Sequence, residues 1–120
     1  RLAIGGKSMG GRIASMSTHH AGVNALICLG YPFHPPGKPE KLRTEHLSDI
    51  KVPTLIVQGE RDPFGRKDEV QAMKIPRRFR QVWLPDGDHS FKPRKASGLM
   101  VEDNLSVAVN SVASFLRALG

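Results

Sequence analysis

Cysteine is nearly absent: Cys28 stands alone among 120 residues, so no internal disulfide can form. That usage suits a reducing compartment, and the expected location is cytoplasmic. Long apolar runs are missing as well. None approaches the roughly 18 to 20 residues needed to cross a bilayer, so no membrane partner is expected. The opening residues lack the charged, apolar, small-residue succession of a secretory leader. Metal-ligand spacing is missing too: His19 and His20 are adjacent, and His34, His46 and His89 are scattered. Neither a metal nor a cofactor is therefore expected. Aromatic residues make up only 6%, which leaves the basic residues without interleaved stacking groups. There is no initiator Met. Arg1 opens almost directly on an apolar run, and the expectation is a chain whose N-terminus is incomplete.

What remains describes one globular domain at most, with 39% apolar and 24% charged residues and length for a modest core. The formal net charge of +7 raises a nucleic-acid reading. Its carriers are dispersed, however, in Lys38, Lys41 and Arg43, then Arg77, Arg78 and Arg80, then Lys92, Arg94 and Lys95. A solvated basic surface accounts for that dispersion, and nucleic acid is not the expected partner. Cys28 lies within Ala25-Leu26-Ile27-Cys28-Leu29 and reads as a small core residue rather than a nucleophile.

In chain order, Leu2 to Ile4 reads as a strand leading into Gly6-Lys7-Ser8-Met9-Gly10. A helix is expected from there to His20, with Ile13, Met16 and Ser17 at helical spacing and Gly22 as its stop. Asn24 to Leu29 reads as a parallel strand buried on both faces. Prolines 32, 35, 36 and 39 make the next stretch a loop. Leu42 to Ile50 allows a short helix with Leu47 and Ile50 inward. Pro53 to Gly59 is the strongest strand signal, followed by a turn at 60–65 and a helix from about Arg66 to Met73. Arg80 to Leu84 is a short strand, 85–91 a turn and 92–98 a basic loop. Val101 to Leu119 then carries Leu105, Val109, Val112, Phe115, Leu116 and Leu119 as one core-facing stripe. Alternating strands and helices predict an α/β fold with about four parallel strands.

Ser8, Asp62 and His89 each follow a predicted strand, 54 and then 27 positions apart. In a parallel sheet such ends share one edge, so the three can meet. A serine hydroxyl needs an imidazole to take its proton. The imidazole in turn needs a carboxylate to fix its tautomer. Each residue has a plainer alternative: Ser8 as a helix N-cap, Asp62 as a turn former before Pro63, and His89 as a surface loop residue. Glu60, Asp86 and Asp88 compete for the acid role. Asp62 is preferred because Asp86 and Asp88 share a loop with His89.

The turns Gly6-Lys7-Ser8-Met9-Gly10-Gly11, Gly59-Glu60-Arg61-Asp62-Pro63-Phe64-Gly65 and Gly87-Asp88-His89-Ser90-Phe91 resemble those of the α/β-hydrolase superfamily, in the order Ser, Asp, His. Together with Leu29-Gly30-Tyr31-Pro32-Phe33-His34-Pro35-Pro36-Gly37 and Phe91-Lys92-Pro93-Arg94-Lys95, they resemble its small, lidless, dienelactone-hydrolase-like branch. The resemblance implies that residues 1–120 are a partial domain, running from the nucleophile strand to the C-terminal helix. It implies Ser8, Asp62 and His89 as a catalytic triad, and the Met9 amide as one of two oxyanion-hole donors. It also implies a small-molecule acyl substrate. Tyr31, Phe33, His34 and Phe64 are the candidate pocket residues. With one oxyanion donor missing, a loss of about 100- to 1,000-fold in rate is expected, so the 120-residue piece should be weak or inactive. Some relatives of this type serve as subunits of complexes. The competing expectation is thus a non-catalytic interaction module with a protein partner.

Overall fold

The computed structural model describes residues 1–119. Four strands, β1 (Leu2–Lys7), β2 (Val23–Leu29), β3 (Thr54–Gly59) and β4 (Arg80–Leu84), form one parallel sheet in the order β1-β2-β3-β4. Between and after them lie the helices α1 (Met9–Ser15), α2 (Lys67–Gln71) and α3 (Val101–Ala118). Glu45–Asp49 and Lys95–Ser97 form single 3₁₀ turns. The expected parallel α/β architecture is what the chain adopts.

Strand side chains alternate between two cores, as a period of two requires. Leu26, Cys28 and Ile56 join Ala14, Tyr31, Phe33, Leu47 and Val70 on one face. Ala25, Leu55, Val57 and Leu84 join Phe91, Ala108 and Phe115 on the other. The strand β3, central and covered on both faces, is buried at all six positions. By contrast β1 has a neighbour on one side only, and Leu2, Ala3, Gly5 and Lys7 are exposed. At β2, Ile27 and Leu29 are only half-buried, so the expected burial on both faces holds for Ala25, Leu26 and Cys28 alone.

Two helices depart from expectation. Helix α1 ends at Ser15 rather than His20. Its buried side is Gly11, Ala14 and Ser15, while Ile13 and Met16 face outward at 56% and 43% exposure. Close contact between α1 and the sheet admits only small side chains, so the large residues turn away. Along α3 the expected stripe divides. Phe115 is buried and Val112 and Leu119 pack against the core, but Leu105, Val109 and Leu116 remain exposed. Asn104 and Ala108 take the inner positions instead. Asn104 is held there because its amide donates to the carbonyls of Pro85 and Phe91 at 3.0 and 2.8 Å. Leu47 and Ile50 point inward as expected.

Candidate active site

The end of β1 turns sharply into α1 at Ser8, whose φ of 54° and ψ of −122° lie where side-chain-bearing residues rarely go. Three hydrogen bonds hold the turn. The Ser8 N–H donates to the Leu29 carbonyl at 2.8 Å, and the Ser8 carbonyl accepts from Gly11 and Arg12. Gly6 is required here by proximity, since a methyl group on it would collide with the backbone of Gly10 and Gly11. A methyl group on Gly11 would press on the Gly6 carbonyl, whereas one on Gly10 would meet nothing. The close approach therefore belongs to Gly6 and Gly11, not to both glycines of the five-residue pattern.

Although Ser8 occupies the N-cap position of α1, its hydroxyl makes no capping bond. It lies 2.8 Å from Nε2 of His89. Nδ1 of His89 lies 2.8 Å from Oδ2 of Asp62. A carboxylate accepts only, so Nδ1 carries the proton and Nε2 is left to accept from the Ser8 O–H. Asp62 is fully buried, and its other oxygen accepts the Phe64 N–H at 2.8 Å. Burial pushes the Asp62 carboxyl above its ordinary value, and the bonds from His89 and Phe64 pull against that rise without cancelling it. The Phe64 ring lies against the imidazole, centroids 4.3 Å apart, and covers one side of it.

Each competing carboxylate is engaged elsewhere. Glu60 accepts the Asp86 N–H at 3.1 Å and lies 3.6 Å from Lys67. Asp86 binds Arg94 and faces Arg61. Asp88 accepts the N–H groups of Ser90 and Lys92, which folds the loop that carries His89. That loop is further pinned against the acid turn. A methyl group on Gly59 would collide with the carbonyls of Gly87 and Asp88.

The candidate pocket residues separate. Tyr31 and Phe33 are fully buried in the core, ring centroids 4.8 Å apart, and the Tyr31 hydroxyl donates to the Arg43 carbonyl at 2.7 Å. Fully buried, they offer no surface to a ligand. His34 is also buried, at 2% exposure. Its ring nitrogens face the Pro35 carbonyl at 2.8 Å and Oε1 of Glu69 at 3.1 Å. Phe64 alone of the four touches the imidazole. Met9 is exposed at the first position of α1, where its peptide N–H has no intrahelical acceptor.

Gln58 was not singled out by its sequence. Buried in β3, its amide donates to the carbonyls of Tyr31 and Gly65 at 3.1 and 3.3 Å, clamping the loops after β2 and β3 together. The one available signal was a polar residue closing the apolar run Leu55-Ile56-Val57. Among the described residues no cluster of three or more His, Cys, Asp or Glu forms a metal set, and no helix is long and apolar enough to cross a membrane.

Solved structures share this arrangement of strands and helices. An alpha-beta serine hydrolase homologue from Coxiella burnetii superposes with a TM-score of 0.59 at 22% identity, covering 90% of this chain and 48% of its own. The esterase domain of a Rhodothermus marinus protein superposes with a TM-score of 0.66 at 17% identity, covering 98% of this chain and 61% of its own. The chain thus spans about half to three-fifths of the length of these structures. Such identities speak for the fold. The family itself follows from the sequence pattern, because the alpha/beta hydrolase domain family matches residues 1–117. With that match running from the serine turn through the final helix, the chain belongs to the alpha/beta hydrolase domain family.

Proposed function

We propose that this hydrolase-family protein is a serine hydrolase that cleaves an ester, thioester or related acyl bond of a small molecule. The observation that carries the reading is the continuous relay from Ser8 through His89 to the buried Asp62, with both links at 2.8 Å. In the proposed mechanism Nε2 of His89 takes the Ser8 proton as Oγ attacks the carbonyl carbon. Asp62 holds the tautomer and stabilises the resulting imidazolium. The developing oxyanion is received by the Met9 N–H, at the positive end of α1. His89 then gives the proton to the leaving group, and water hydrolyses the acyl-serine by the same relay. No cofactor enters this scheme. A dienelactone-hydrolase-like branch fits the small serine turn, and the chain is read as part of a longer hydrolase domain.

A second reading, a hydrolase-fold interaction module, draws on the outer side of α3. There Leu29, Phe91, Leu105, Val109 and Leu116 border an apolar hollow of about 420 Å³. A fluorophosphonate probe separates the two readings. On the full-length protein, labelling that disappears in Ser8→Ala supports the hydrolase, and a full-length wild type that resists the probe favours the module.

A further inference from the structure

A hollow of about 390 Å³ lies beside the acid turn, bordered by His34, Pro39, Arg61, Pro63, Arg66 and Glu69. Its two guanidinium groups are incompletely used. Arg61 is anchored by its inner nitrogen: Nε donates to the Asp86 carbonyl at 2.9 Å and lies 3.3 Å from the Asp86 carboxylate. Neither terminal NH₂ group of Arg61 has a hydrogen-bond partner among the described residues. Arg94 grips the same carboxylate at 2.6 Å, so the anchor is itself fixed. The Arg66 Nε lies 3.7 Å from Asp68 and 3.8 Å from Glu69, within ion-pair range but beyond a hydrogen bond.

The carboxylate that shares the hollow is already committed. Oε1 of Glu69 accepts from Nε2 of the buried His34 at 3.1 Å and from the Arg66 N–H at 3.0 Å. Arg61 and Arg66 thus border the hollow with Glu69, their inner nitrogens turned to Asp86 and to Asp68 and Glu69. The walls are stiff, with Pro39 and Pro63 on the rim and the buried His34 donating to Glu69. A tethered guanidinium with a free outer edge is arranged to receive two oxygens of one anion at little further ordering cost. The chain's net charge of +7 draws anions toward it.

We propose that this hollow is an anion subsite that takes a carboxylate or phosphate group carried by the acyl substrate. The link to a substrate rests on the serine-hydrolase reading; binding of the anion does not. Pro63 directly follows Asp62, so the subsite adjoins the turn that supplies the triad acid. Arg61 and Arg66 hold the anion, while His34 and Glu69 shape the wall.

Two measurements decide the matter. In the first, ¹⁵N NMR follows the Ser8→Ala chain during separate titrations with inorganic phosphate and with succinate at constant ionic strength. Saturable shifts at the Arg61 and Arg66 side chains are expected, with affinity falling about tenfold in Arg61→Gln and in Arg66→Gln, the size of one charged contact. Arg66 lies at the exposed rim, so its variant answers the question even if Arg61→Gln disturbs the neighbouring Asp62. The second compares kcat/KM for p-nitrophenyl hemisuccinate and p-nitrophenyl butyrate in the active chain. The ratio should favour the hemisuccinate and fall about tenfold in Arg66→Gln. Absence of saturable shifts with either anion overturns the subsite. Binding of free phosphate with an unchanged substrate ratio overturns the assignment to a substrate group. A full-length wild-type protein that turns over neither ester refutes the hydrolase reading, and the NMR titration still decides the subsite by itself.

Discussion

Ser8 and His89 lie 81 residues apart in sequence, yet Oγ of one sits 2.8 Å from Nε2 of the other. The contact follows from parallel pairing. Each strand must return to the same end before the next begins, so every turn that follows a strand lies along one edge of the sheet. Ser8 leaves β1, Asp62 follows β3 and His89 follows β4, and Gly59 lets the last two loops close on each other.

The relay predicts a graded loss of ester hydrolysis. Ser8→Ala and His89→Ala should each lower kcat by about 10⁴- to 10⁶-fold, and Asp62→Asn by about 10⁴-fold through loss of the correct tautomer. Asp88→Asn should cost far less, since it keeps an oxygen able to accept the Ser90 and Lys92 N–H groups. Steady-state kinetics on p-nitrophenyl acetate check the order. Equal losses in Asp62→Asn and Asp88→Asn would remove Asp62 from the acid role.

The glycines of the serine turn should differ sharply. Gly10→Ala places a methyl group in open space within α1 and should be neutral or stabilising, by up to about 1 kcal/mol from helix propensity. Gly6→Ala and Gly59→Ala each drive a methyl group into backbone and should destabilise by several kcal/mol, among the larger effects of single substitutions. Urea unfolding of the three variants tests this, and a costly Gly10→Ala would contradict the geometry.

Helix α3 offers a direct test of which side meets the core. Phe115→Ala should cost about 3–5 kcal/mol as a large buried side chain is lost. Val109→Ser, at a position 66% exposed, should stay within about 0.5 kcal/mol. Comparable losses in thermal unfolding would mean that the outer stripe is covered in solution.

Acid sensitivity should centre on Asp86. The Arg94 side-chain bonds hold its carboxyl down at about 2, below the ordinary 3.8. A depressed acid stabilises the fold above its unfolded value, and that contribution disappears as pH falls from about 3.8 through about 2. The denaturant midpoints of wild type and Arg94→Ala should therefore converge over that window. A gap that persists unchanged at the lower limit would argue against the pair. Its partner Arg94 is exposed, so the effect should be small and weaken with salt.

Cys28 should be inert in the native chain. Burial pushes its thiol up to about 12, so the reactive thiolate is scarce at pH 8. Iodoacetamide should alkylate it only after denaturation, as mass spectrometry would show; rapid native labelling would place the thiol nearer to solvent.

Much of this was legible in the residues. Apolar runs at Ala25–Leu29 and Leu55–Val57, broken by turn residues, specify parallel strands covered on both faces, fully so at β3 and in part at β2. The placing of apolar runs, helical spacing and turn residues set the type and order of the elements. Periodicity could say that α3 is amphipathic, but not which part of its stripe would be inside, because Asn104 enters the core only through carbonyls offered by Pro85 and Phe91. Likewise nothing local marks Ile13 as exposed. The close approach of α1 to the sheet decides it.

The site divides along the same line. Residue pattern was enough for the chemical types and their order: a serine between glycines after a strand, then an aspartate, then a histidine, each at a strand end. That Asp62 is the carboxylate on the imidazole came from how the loops pack, because Glu60, Asp86 and Asp88 differ from it in partners rather than in chemistry. Packing also decided that Tyr31 and Phe33 belong to the core and that His34 is bonded to Glu69, 35 residues away. Local patterns fix what each segment becomes, since propensity and periodicity act over a few residues. Which side chains then meet depends on how close the segments pack, and that distance is set by the whole fold.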